Sequence, residues 1–139
     1  MNKKQVLAAW LIFCIFWIVL AYAQDEHPID KSLRVCIDKS KCITAEMVKC
    51  GEEAYTKWDA EMNRYYNLLM GTLIEEAKKQ LKQSQKAWLK FRDLEFEFIP
   101  KYYLDMGSYQ RPTTWSHKVD IVRARALELQ AYYKVAKDE

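Results

Sequence analysis

The sequence predicts an all-α protein, three long helices packed as a hairpin and bundle with a disulfide-tied N-terminal arm. Two observations carry that reading. The 139 residues hold only three glycines and three prolines, so long stretches lack any turn former. Within those stretches apolar residues recur every three or four positions, the period of a helix with one buried face.

The chain opens on a short positive start, Asn2, Lys3 and Lys4, followed by an uncharged apolar run from Val6 to Leu20. Ala21-Tyr22-Ala23 then gives the small-x-small pattern that a signal peptidase accepts, and the sequence turns polar at Gln24. This predicts a secretory signal peptide over 1–23, cut after Ala23, and a working location in the periplasm or outside the cell. Fifteen apolar residues fall short of the roughly 20 that span a bilayer, so no membrane attachment is expected after cleavage. Cys14 leaves with the signal.

Cleavage also removes Lys3 and Lys4, which leaves 20 basic against 19 acidic residues, a formal charge of +1. Nucleic acid is not an expected partner, because phosphate binding needs clustered positive charge. The remaining chain suits one domain with one modest core.

Residues 24–43 form the arm. Cys36, Cys42 and Cys50 remain in an oxidising compartment, and one must be left over. With a helix starting near Thr44, a Cys42–Cys50 bridge would force a very short segment to double back until the Cα atoms lie within about 7 Å. Cys36 has more slack, so Cys36–Cys50 is favoured, with Cys42 free or paired between chains.

The helical domain covers 44–139. Thr44 is the expected N-cap of a helix running to Met70, with Met47, Cys50, Ala54, Trp58, Met62, Tyr65 and Leu69 on one face. Gly71 marks the join to a second helix from Thr72. Its expected inner line is Ile74, Ala77, Leu81, Ser84, Trp88, Phe91, Glu95 and Phe98, ended or kinked at Pro100. Glu75, Lys79, Lys82, Lys86 and Lys90 read as its solvated face. Lys101–Pro112 is the expected irregular loop. Thr113 or Thr114 then caps a third helix carrying Trp115, Val119, Val122, Ala126, Leu129 and Tyr133.

Two polar clusters interrupt the stripes, Asp59, Glu61 and Asn63 in the first helix and Gln85, Arg92 and Asp93 in the second. Asp59 and Asp93 are the pair to consider as acid and base of a glycoside hydrolase. The structural alternative, a polar network of Asn63, Gln85, Asp59 and Arg92 bridging the helices, is preferred, so no catalytic residue is assigned. His27 and His117 lack further ligands at ordered spacing, and neither a metal nor another cofactor is expected. Tyr102, Tyr103, Ser108, Tyr109 and Arg111 stand out in the loop. Tyrosines with serine and glycine suit a protein-binding surface, because the ring gives contact area at low entropy cost.

Glu46-Met47, Cys50, Ala54-Tyr55, Asp59-Ala60-Glu61-Met62-Asn63 and Tyr66, followed by Leu81, Gln85, Trp88 and Phe91-Arg92-Asp93, resemble the lysozyme-inhibitor LprI-like family of exported bacterial proteins. Gly107-Ser108 and Arg125 to Leu129 extend the resemblance to roughly Cys36–Leu129. It implies that Asp59, Asn63, Tyr66, Gln85, Trp88, Arg92 and Asp93 are motif residues that hold the fold. The family pattern also implies a cysteine pair whose places here fall at Phe96 and about His117, and both are absent together. The implied activity is binding and blocking a lysozyme or another peptidoglycan hydrolase. An immunity or envelope-maintenance protein with a different protein target is the alternative. The oligomeric state is not legible.

Overall fold

The computed structural model describes residues 26–138, so the expected signal peptide and its cleavage site lie outside the described residues. Four α-helices and one 3-10 helix follow in order, and there is no strand among the described residues: α1 Pro28–Lys39, α2 Thr44–Thr72, α3 Glu75–Tyr102, the 3-10 helix Leu104–Tyr109, and α4 Gln110–Asp138.

The expected arm is itself largely a helix. Pro28 sits at the start of α1, where a missing N–H costs nothing, and His27 Nδ1 accepts the Ile29 N–H at 3.2 Å. α1 ends at Ser40, whose hydroxyl donates to Ile37 O at 2.7 Å. Lys41 and Cys42 then take φ of 49° and 62°, the left-handed conformation that reverses the chain. The Cys36–Cys50 disulfide clamps this reversal, with Cα atoms 5.7 Å apart, and Cys42 is free and exposed.

Five helix ends differ from the sequence expectation, two of them at the hairpin, where α2 reaches Thr72 rather than Met70 and α3 starts at Glu75 rather than Thr72. Ile43, not Thr44, is the N-cap of α2, and no side chain caps it. α3 runs through Pro100 to Tyr102, because proline near a C-terminus removes only one of the last hydrogen bonds. The expected loop is mostly helical, and α4 begins at Gln110, so Thr113 and Thr114 lie inside its first turns. Thr113 instead donates to Tyr109 O at 2.8 Å.

Leu73 and Ile74 are extended and separate the two helices, which makes α2 and α3 an antiparallel hairpin. Contacts such as Asp59 with Arg92 and Met62 with Gln85 run in opposite chain directions. α4 returns parallel to α2: Gly51 abuts Trp115, and Tyr65 accepts from Gln130 at 2.6 Å.

The core is built chiefly from α2 and α4. Ala54, Trp58, Met62 and Leu69 interdigitate with Val119, Val122, Ala126 and Leu129, all nearly inaccessible. α3 leans on this pair and buries fully only Gln85 and Ile99. Its inner face is rotated from the expected line. Leu81, Gln85, Trp88, Phe96 and Ile99 turn inward, whereas Phe91 and Phe98 are 50% and 54% exposed. The reason is polar: Gln85 and Arg92 have partners on the other helices, and satisfying them fixes the rotation of α3 against its apolar preference.

Candidate functional site

The motif residues divide into two groups. Asn63 stays within α2, donating to Asp59 O at 2.9 Å and to Asp59 Oδ2 at 3.0 Å. Arg92 reaches across from α3, with Nη1 3.8 Å from Asp59 Oδ1, while its Nη2 holds Asp93 Oδ1 at 2.7 Å. Both carboxylates therefore face one guanidinium, the arrangement of an ion-pair bridge between α2 and α3. Trp88 lies under the Arg92 guanidinium, 5.8 Å from ring centre to Cζ, and Tyr66 packs against the core.

Gln85 does not join that cluster. Its Nε2 approaches Met62 Sδ at 3.6 Å, and its Oε1 accepts from Arg125 Nε at 3.0 Å. Arg125 is 6% exposed and continues to Glu128 at 2.6 Å and Ser84 Oγ at 3.4 Å. The expected single bridge between two helices is thus two. One joins α2 to α3 at Asp59–Arg92, and the other joins α3 to α4 at Gln85–Arg125. In the sequence Arg125 stands beside Val122, Ala126 and Leu129 on an apolar line and opens the segment to Leu129 that extends the family resemblance, with nothing to mark Gln85 as its partner.

A third polar junction carried no sequence signal because its partners are far apart along the chain. Asp30 of α1 accepts the Trp58 indole N–H at 3.2 Å and Arg123 Nε at 2.8 Å. His27 stacks on Trp58 with ring centres 4.3 Å apart. This ties the first turn of α1 to both core helices. Next to it, the Arg64 guanidinium holds the Glu61 carboxyl below its usual range.

The aromatic corner sits where α3 gives way to α4. Gly107, at φ 58° and ψ −133°, splits the 3-10 segment, and this conformation favours glycine. Gln110 Nε2 donates to Pro100 O at 2.8 Å, and Tyr103 OH meets His117 Nε2 at 2.8 Å, so both ends of the turn are fastened. Tyr102 and Tyr109 are 68% and 63% exposed, and Ser108 and Arg111 are exposed beside them. Tyr103 alone of the five is half-buried. The corner is therefore a fixed projection rather than a loose loop. Tyr109 also edges an open apolar groove of about 310 Å³ with Leu33, Ile37 and Met47.

Where the family pattern implies a cysteine bridge, Phe96 stands edge-on to Tyr55 with the Lys118 ammonium 5.0 Å from its ring centre. A cation resting on an aromatic face there joins α3 to α4 without a covalent link. Burial against this cluster raises the Tyr55 phenol above its ordinary pKa. Among the described residues no group of His, Cys, Asp or Glu is placed to hold a metal ion, and no helix is long and apolar enough to cross a membrane.

The chain matches the model of the family described as lysozyme inhibitor LprI over residues 36–129. It is similar to an uncharacterized protein from Burkholderia thailandensis known from a crystal structure, at 26% identity and a TM-score of 0.74. The similarity covers 81% of this chain and 56% of that one, so this chain spans little more than half of that protein. No curated protein matches it.

Proposed function

The chain belongs to the lysozyme inhibitor LprI family, and from that premise we propose that it is an exported, non-enzymatic protein that binds and blocks a lysozyme or another peptidoglycan hydrolase. The periplasm or the cell exterior, where such targets act, is the location this reading requires. The observation that carries it is the fastened aromatic corner, with Tyr102 and Tyr109 more than half exposed on a turn held at both ends. Exposed tyrosines on rigid backbone lose little entropy on docking, which is what an occluding contact needs. Tyr102, Tyr103, Ser108, Tyr109 and Arg111 supply the contact, while Asp59, Asn63, Tyr66, Gln85, Trp88, Arg92 and Asp93 hold the helices that carry it.

A formal charge near +1 after signal removal gives almost no long-range attraction to a cationic lysozyme. Inhibition should therefore depend only weakly on salt. The test is lysis of cell walls by a panel of lysozymes with purified protein. Inhibition at micromolar protein that Tyr102→Ala with Tyr109→Ala abolishes, with far-UV circular dichroism unchanged, supports the reading. No inhibition of any lysozyme in the panel, nor of other peptidoglycan hydrolases assayed in the same way, would sink it.

A further inference from the structure

The outer face of α3 separates its charges by sign. Residues 77–92 hold six basic side chains and no acidic one. Lys78 is held by Glu75 at 2.7 Å, and Arg92 by Asp93 at 2.7 Å. The other four, Lys79, Lys82, Lys86 and Lys90, are exposed and form no ion pair among the described residues. Their spacings of three, four and four put them in one row down the helix, about 16 Å long. Like charges one turn apart destabilise a helix, and elsewhere this chain sets opposite charges there, as in Glu61 with Arg64 and Arg125 with Glu128. The row does the reverse of what a merely solvated face requires.

We propose that this row binds a linear polyol-phosphate chain, a polymer of the poly(glycerol phosphate) type. Amines in a line offer one contact each to successive phosphates, and their flexible stems adjust to the polymer's own repeat. Gln80, Gln83 and Ser84 are exposed beside the row and supply amide and hydroxyl groups for the polyol hydroxyls. Glu75 stands one turn before Lys79 and Asp93 one turn after Lys90, so the footprint is about four phosphates. Other anionic partners fit less well. Single-stranded nucleic acid needs exposed aromatic rings among the cations for its bases to stack on, and the one aromatic residue from 75 to 90, Trp88, packs against the core. An anionic bilayer needs apolar side chains among the lysines. No large one is exposed between Glu75 and Lys90, and the exposed Phe91, Leu94 and Phe98 beyond are interleaved with Asp93, Glu95 and Glu97, which such a surface repels. Lys90 lies 12 residues, about 18 Å, before Tyr102, so a bound polymer leaves the aromatic corner free. The proposal does not rest on inhibitor activity.

Fluorescence anisotropy of labelled poly(glycerol phosphate) titrated with the purified protein tests it. The expected result is saturable binding that weakens roughly fivefold for each doubling of salt, as neutralising about four phosphates requires. Lys82→Ala with Lys86→Ala should weaken it by about tenfold or more. Lys31→Ala with Lys49→Ala removes the same charge from exposed positions outside α3 and should change it by less than about twofold. Both variants should keep the wild-type circular dichroism, because every side chain replaced is exposed. An oligothymidylate of equal charge and phosphatidylglycerol vesicles, the probes for nucleic acid and for a lipid surface, should bind more weakly by about tenfold. No binding of the polymer overturns the proposal. So does equal or tighter binding of either competitor, or an equal loss in the two double variants.

Discussion

Replacing Arg125 by methionine tests the claim that α3 is held against the core by a buried polar contact. Arg125 is 6% exposed and Gln85 7%, and the guanidinium donates to Gln85 Oε1 at 3.0 Å. Methionine keeps most of the apolar stem but leaves the Gln85 carbonyl without a donor where water scarcely reaches, which costs about 1–3 kcal/mol. The Glu128 side chain is 46% exposed and simply returns to water, so its lost ion pair adds less than about 1 kcal/mol. The expected loss is about 2 kcal/mol. Gln85→Met should cost a similar amount, because it strips one hydrogen bond from a buried charge. The two changes together remove both polar groups and fill the site with apolar volume, an exchange that is often near neutral. Urea unfolding of all four proteins at pH 7, followed by far-UV circular dichroism, should thus give a coupling of about 4 kcal/mol, well above the roughly 0.5 kcal/mol scatter for independent sites. Single losses below that scatter, or additive ones, would refute the argument that this contact sets the rotation of α3.

Three further outcomes follow from the geometry. Cys36→Ser with Cys50→Ser should lower stability by about 3 kcal/mol, the loop-entropy value for a short loop, and dithiothreitol should do the same to the native protein in urea titrations. Gly51→Ala places a Cβ 2.7 Å from Trp115 Cβ where α2 and α4 cross. The crowding, about 1–3 kcal/mol, should outweigh the roughly 1 kcal/mol gained in helix propensity, so a thermal melt should show a lower midpoint. Burial raises the Glu128 carboxyl, but hydrogen bonds from Arg125 and Tyr132 overcome it and hold the pKa below the ordinary 4.5. Its contribution is therefore fully present above pH 4.5 and fades as pH falls through the lower folded value. Glu128→Gln should accordingly flatten the stability–pH curve below that point, and an unchanged curve would show that the pair with Arg125 contributes nothing.

The sequence by itself determined the class of fold and its largest elements. Sparse glycine and proline, with Ala54, Trp58, Met62 and Leu69 at helical spacing and Val119, Val122, Ala126 and Leu129 at the same spacing, specify two amphipathic helices whose stripes must meet. Cysteine spacing was enough to favour Cys36–Cys50, because a bridge inside the tighter segment is sterically awkward. The polar motif was legible as residues but not as contacts. Tertiary structure decided that Gln85 belongs to Arg125, 40 positions away, rather than to Asn63. That pairing turned α3 so that Phe91 and Phe98 face outward against their periodicity. Likewise, nothing local marked Asp30, 28 residues from Trp58 and 93 from Arg123, as the anchor of α1. Periodicity records which side of a helix is apolar and is blind to partners distant along the chain. A buried polar group must find its partner wherever the fold brings one, and here that requirement overrode the apolar line.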